Sequence, residues 1–251
     1  MIKVYYRKKG IKIAQIWYPE SEDLGKIKAD IAFVHGVEKK EGSHILSKEF
    51  HSMLTDLTLS EEELTERINK TERYQIRRSK KEDVEFRSFT PAQLMEDDTV
   101  LTPFIKMYEQ MYKDKGMKVV LSRKQLDAYI KANAFYLTGV FRGEEALAFH
   151  SYVADDREAR LFHSTSNFRS EEADAAFIAR ANKRLHMDDM MYFKNLGLKT
   201  YDWGGISDFE NPNGIDVFKM KFGGEKVTYY NLYMGCSLLG KLAILVLKRK
   251  G

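Results

Sequence analysis

Three strand-like runs, FYLTGVFRG (135–143), EALAFHSYVADD (145–156) and EARLFHSTSNF (158–168), follow one another with almost no chain between them. Each is rich in aromatic and β-branched residues, and the joins at Gly143 and at Asp155–Asp156 have room only for tight turns. Directly afterwards comes SEEADAAFIARANKRLHMDDMMYFKNLG (170–197), a long helical pattern that opens on Ser170, Glu171 and Glu172 and stops at Gly197. Three hairpin-linked strands followed by one long helix leave few folds open.

The flanks narrow the choice further. Residues 1–57 carry short strand patterns: KVYY, KIAQIWY, ADIAFVHG and HSMLTDLT. Residues 59–82 read as one helix, with Ser60 as N-cap, Glu61 to Glu63 in the first turn, and Leu64 and Ile68 repeating at four. VEFRSF (84–89) reads as a strand, Pro91 opens a helical region that ends at Gly116, and 122–134 is a further helix. KTYDWGG (199–205), a short helix in GIDVFKMKFGG (214–224) and a strand in EKVTYYNLYM (225–234) complete the pattern. From residue 84 the order is β-α-α-β-β-β-α-β-α-β, which predicts an α/β (α+β) fold with a mixed sheet rather than a strict parallel alternation.

A chain of 251 residues can build one large domain or two small ones, and 43% apolar with 12% aromatic residues argues against disorder. Cys236 is the single cysteine, so no internal disulfide is expected, and its apolar run predicts burial. MIKVYYRKKG has no apolar signal core, which points to the cytoplasm. The formal charge of +4 fits a soluble surface and is compatible with an anionic ligand, but it is far from the field of a dedicated nucleic-acid binder. GCSLLGKLAILVLKRKG (235–251) is apolar for about a dozen residues and ends on Lys248, Arg249 and Lys250. A spanning helix needs ~20 apolar residues. The segment therefore reads as a last strand or helix on the core, or as a shallow contact with the inner face of an anionic membrane.

YDWGGI and GIDVFKMKFGGEKVTYYNLY (within 201–233) resemble the closing segment of the Fem-type (FemABX) branch of the GNAT acyltransferases. INKTERYQIRRSKKEDVEF (68–86) is similar to the Arg-rich helix that precedes the second GNAT unit in those enzymes. The resemblance covers roughly residues 60–233. It implies a GNAT-like twisted mixed sheet flanked by helices over 84–251, with 1–83 as a reduced, β-rich N-terminal unit. The glycine-rich pyrophosphate loop usual in GNAT enzymes is absent, since the chain reads SNFRSEEADAA between strand and helix.

By that resemblance the acyl donor lies where the strand at 158–168 splays from its neighbour. Ser166, Asn167, Arg169 and Ser170 would then contact the donor near the next helix N-terminus, where anions are attracted. Glu171 and Glu172 read as complements to the helix dipole. Asp202, at the carboxyl end of its strand, and His186 are candidate general bases, although Asp202 could equally cap the Gly204–Gly205 turn. Lys219 borders the face formed by Ile215, Phe218 and Phe222, and it is the candidate for stabilising developing charge or positioning the donor; Lys221 points further round.

On the long helix Ile178, Ala181, Leu185, Tyr192 and Leu196 form one stripe that also takes in Asp189. That carboxylate needs a partner, a lysine or arginine being favoured, or else carries a raised pKa. Arg180, Asn182 and Lys183 flank the stripe and could orient a phosphate or carboxylate, while Met187, Met190 and Met191 read as packing. Arg73 and Arg77 share a helix face beside Tyr74 and could grip an acceptor anion, or pair with Glu62, Glu66 or Glu72. No His/Cys/Asp cluster has metal-ligand spacing, and none is expected to bind a metal. The expected activity is amide formation on an amino group of a nucleotide- or lipid-linked envelope precursor, an amino sugar or a peptidoglycan peptide. The donor would be acyl-CoA or aminoacyl-tRNA; a non-catalytic glycan-binding GNAT unit is the alternative.

Overall fold

The computed structural model describes residues 1–19, 24, 26–119, 121–167 and 174–249. The chain begins with β1 (Ile2–Lys8), β2 (Ile11–Trp17), β3 (Ile31–Val37) and β4 (Ile45–Asp56), followed by helices α1 (Glu61–Arg67) and α2 (Lys70–Ser79). β5 (Glu85–Phe89), α3 (Pro91–Glu96), α4 (Leu101–Asp114) and α5 (Arg123–Lys131) lead into β6 (Phe135–Arg142), β7 (Glu145–Ala154) and β8 (Glu158–Ser166). Then come α6 (Ala175–Asn195), β9 (Thr200–Asp202), α7 (Gly214–Met220), β10 (Glu225–Gly235) and α8 (Leu238–Lys248).

The ten strands form one mixed sheet in the order β1-β2-β3-β10-β4-β9-β8-β7-β6-β5. β6, β7 and β8 pair antiparallel in sequence, as their tight joins require. Successive strand residues face opposite sides, and the two faces have different covers. Phe135, Phe141 and Phe149 pack with Leu101, Phe104 and Tyr129 of α4 and α5, whereas Val140, Leu147 and Ala148 pack with Ile178, Ala181 and Leu185 of α6.

The expected boundary at 83/84 does not divide the sheet. β10 runs antiparallel between β3 and β4, matched to β4 from Glu225↔Leu54 to Met234↔Ile45, so the two ends of the chain share one sheet. The single helix expected over 59–82 is two. Ile68 is extended (φ −72°, ψ 136°) and Asn69 restarts the helix by accepting from the Thr71 amide. The Asn69 amide in turn donates to the Lys221 carbonyl (2.7 Å), so this break seats the end of α7.

Phe222, just beyond α7, is buried and Phe218 of α7 partly so, but Ile215 is 57% exposed and does not share their face. Asp216 has taken the inward position: it bonds Ser207 and closes a capping box with Asn213, which turns Ile215 to the outside. Leu196 likewise leaves the α6 stripe and is 48% exposed. Met187 and Met190 are core residues, and Cys236 is only half-buried. Within the C-terminal segment Leu238–Lys248 is helical (α8), and Gly240 and Ile244 are the buried residues of that helix. Among the described residues no helix is long and apolar enough to cross a membrane.

Candidate functional site

β8 and β9 run parallel for three residues, Glu158↔Thr200, Ala159↔Tyr201 and Arg160↔Asp202. There the pairing ends. The chain after Asp202 turns through Trp203 and Gly204, while β8 continues to Ser166, so from Phe162 onward its β9-side edge has no strand partner among the described residues. Gly204 (φ +67°) makes this turn possible, because a Cβ there would lie 2.5 Å from the Leu161 carbonyl oxygen.

A charged cluster closes the apex of that split. Asp202 is fully buried; its Oδ2 accepts from Arg160 Nε (2.6 Å) and the Tyr229 hydroxyl (2.6 Å). Its Oδ1 accepts from the Gly204 amide (2.8 Å) and from Ser52 Oγ. Arg160 also donates to the Tyr229 hydroxyl, and its guanidinium lies 4.9 to 5.3 Å from the ring centres of Tyr229, Trp17 and Phe50. Such a buried pair is balanced only while complete; removing one partner typically costs about 3–5 kcal/mol. Glu158, half-buried two residues before Arg160, is pushed up to about 7 by burial and by the Asp202 carboxylate. Burial also pulls His35, stacked on Trp17 at 3.9 Å, down to about 3, so it is neutral.

Gly36 and Tyr229 also line a cavity of about 660 Å³ formed over the paired strands β3 and β10, whose rim carries Glu38, Lys39 and Lys40. A Cβ at Gly36 would meet the Arg160 guanidinium at 3.3 Å. Gly36 and Tyr229 are thus the residues through which the cavity lining touches the cluster.

Of the candidate bases, Asp202 has both oxygens occupied and serves as the counter-charge of Arg160 rather than as a free base. His186 is buried among Trp203, Phe218 and Phe222; its Nδ1 lies 3.2 Å from the Tyr201 hydroxyl, and burial holds its pKa well below the usual range. Lys219 sits near the apex. Its Nζ donates to the Gly205 carbonyl (2.7 Å), and burial lowers it to about 8 against the pull of Asp202 and Asp216.

The other candidates disperse. Ser166 ends β8. Asn167 bonds the carbonyls of Ala146 and Leu147, and it borders a second cavity with Lys106 and Lys113. Arg169, Ser170, Glu171 and Glu172 lie outside the described residues. Arg180 is not a free anion grip, because it is nearly buried against Glu82 (2.5 Å). Asn182 faces the buried His150 (3.0 Å). Arg73 and Tyr74 lie on α2 next to Glu72, which pairs with Lys183 (2.6 Å); Tyr74 is exposed, and among the described residues Arg73 and Arg77 make no ion pair. Asp189 does have a partner, but it is neither lysine nor arginine: its Oδ2 meets His150 Nδ1 (2.6 Å) and the Tyr152 hydroxyl (2.5 Å), and Tyr152 continues to Tyr201 (2.9 Å).

His150, His186 and Asp189 thus come within 4.8 Å of one another, a convergence invisible in their sequence spacing because His150 belongs to β7. Both ring nitrogens of His150 are bonded, to Asp189 and Asn182, and His186 Nδ1 meets Tyr201, while among the described residues Asp189 Oδ1 has no hydrogen-bond partner. Glu158, Arg160, Tyr229 and Ser52 lie outside the residues that the sequence reading assigns to the site; Glu158 and Arg160 share one face of β8 at a spacing of two, but His163, Ser164, Thr165 and Ser166 make polar residues common on that strand.

No protein-family model matches the sequence, and no curated protein is similar enough to match it. Solved structures do match. FemX shares 12% identity over 96% of this chain and 86% of its own, with a TM-score of 0.61. The C-terminal DUF2156 domain of a lysylphosphatidylglycerol synthetase from Agrobacterium fabrum shares 13% over 98% and 84%, with a TM-score of 0.58. L-PGS from Bacillus licheniformis shares 12% over 98% and 84%, with a TM-score of 0.56. Identities this low speak to fold alone, and the fold is of the GNAT/Fem type.

Proposed function

We propose that this chain is an N-acyltransferase that moves an acyl or aminoacyl group onto an amino group of an envelope precursor. The observation that carries the reading is the open β8 edge, released beside the Glu158–Arg160–Asp202 cluster. An acyl donor laid along that edge would have its carbonyl polarised by strand amides. The incoming amine must lose a proton as it attacks, and Glu158, with its pKa near neutrality, is suited to take it. Arg160, held by Asp202, keeps positive charge at the apex, and protonated Lys219 stabilises the negative charge that develops on the carbonyl oxygen. The attack forms the C–N bond, and collapse expels the donor's thiol or tRNA hydroxyl. No covalent enzyme intermediate is required.

Among donors, the likeness in fold to a domain of a lysylphosphatidylglycerol synthetase, whose name carries a lysyl group, supports an aminoacyl donor over acetyl-CoA. The acceptor, a UDP-linked muropeptide or an amino sugar, would occupy the cavity rimmed by Lys39 and Lys40, where cations suit a diphosphate. The test offers radiolabelled aminoacyl-tRNA or acetyl-CoA with UDP-linked muropeptide and follows an alkali-stable amide product. Glu158→Gln should slow transfer about 10²–10⁴-fold with folding intact. Failure of every donor to transfer, or full activity in Glu158→Gln, would reject the assignment.

A further inference from the structure

Helix α8 is fixed to the sheet yet leaves most of its apolar surface uncovered. Ser237 caps it and also donates to Asp30 (2.7 Å). Gly240 packs so closely that a Cβ would fall 1.7 Å from the Asp30 carbonyl oxygen, and one at Gly235 would fall 2.6 Å from the Lys241 backbone. With Gly240 and Ile244 inward, the opposite face consists of Leu238, Leu239, Leu242, Leu245 and Val246, of which Leu238 is 82% and Leu242 63% exposed. Helices of globular proteins ordinarily turn such a stripe to the core, and a contiguous exposed one marks a contact surface.

The charges around it select the occupant. Lys241 and Lys248, seven residues apart, flank the apolar face on one side, and Arg249 follows at its end. No acidic residue occurs from Cys236 to Gly251. A second copy docked by two-fold symmetry would set these cations against their equivalents, with no carboxylate on the helix to pair them. An anionic bilayer surface accepts both features, since apolar side chains enter the headgroup boundary and flanking cations meet lipid phosphates. We infer that α8 is a prefolded docking element for an anionic membrane surface.

Lys248 Nζ also donates to the Gly42 carbonyl (2.6 Å), two residues beyond the cavity rim at Lys40. If the proposed transfer is correct, docking would hold that rim beside lipid-linked acceptors; this step rests on the transferase reading, whereas membrane binding does not.

Co-sedimentation of the full chain with phosphatidylcholine vesicles containing about one third phosphatidylglycerol tests the inference without donor or acceptor. The wild type should bind these vesicles, bind pure phosphatidylcholine vesicles at least tenfold less, and weaken with added salt. Leu239→Ser/Leu242→Ser/Val246→Ser should lose at least tenfold in partitioning with an unchanged thermal melt. Lys241→Gln/Arg249→Gln should lose about 25-fold, at roughly fivefold per cation. Absence of vesicle binding by the wild type overturns the inference. So does a vesicle-free dimer, seen by sedimentation velocity, that the serine variant dissolves, because the face would then belong to a second copy.

Discussion

At the scale of single residues, Asp202 and Glu158 show how neighbours divide the work between two carboxylates. Asp202 is buried deeper, but Arg160, Tyr229, Ser52 and the Gly204 amide fill its oxygens. Glu158 has no such set of donors; burial and the Asp202 charge push it up to about 7. A raised carboxyl pKa means that the native state holds the proton more tightly than the unfolded chain does. The stability Glu158 contributes is therefore present below about 4.5 and is lost as pH rises through about 7. Glu158→Gln should flatten urea-unfolding stability across that window. For catalysis the sign reverses, because a base must be deprotonated. Transfer should rise through about 7 and then fall above about 8 as Lys219 loses its proton, giving a bell-shaped profile. In Glu158→Gln the acidic limb should vanish from the residual rate, and an unchanged limb would place the base elsewhere.

At the scale of elements, the sequence was most readable where a local rule operates without competition. The β6–β7–β8 meander follows from two turns too short for any other connection, and α6 follows from its long apolar period. Readings failed where a tertiary partner overrode the period. Asp216 displaced Ile215 from the inner face of α7 by bonding Ser207, and Asn69 broke the first long helix because its amide serves the end of α7. Asp202 and Lys219 lie near enough for the carboxylate to act on the lysine's charge, but their roles are set by neighbours far away in sequence. Which carboxylate is filled and which is poised depends on Ser52, Arg160 and Tyr229, brought in from three different strands. Gly240 carries the same lesson: in sequence it is an unexplained helix-weakening glycine, and in the fold it is the contact that pins α8 to Asp30. Gly240→Ala should lift or tilt that helix and cost about 1–3 kcal/mol. Urea unfolding measures the loss, and faster proteolysis confined to 236–249 would locate it; wild-type behaviour in both would mean that the helix is held elsewhere.

At the scale of the whole molecule, the decisive strand is β10. It pairs with β4 along Glu225 to Met234 and with β3 on its other edge, so the last strand of the sequence joins the N-terminal strands to each other. β9 does the equivalent work for the second half, antiparallel to β4 and parallel to β8. Without β10, β3 and β4 would both expose unpaired edges and the cavity over β3 and β10 would lose the lining that Tyr229 to Met234 supply. Asp202 reaches the same conclusion from within, because Ser52 and Tyr229 come from β4 and β10 while Arg160 comes from β8. Neither segment divided at 83/84 can therefore bury its sheet edge or complete the charged apex alone. The full chain should unfold in a single transition, with calorimetric and van't Hoff enthalpies in agreement. Residues 1–83 and 84–251 expressed separately should be aggregated or unfolded by circular dichroism and amide exchange, and should regain structure only when mixed. Two resolved transitions in the full chain, or a folded 84–251 fragment, would show that the shared sheet is an interface between independent domains rather than one cooperative core.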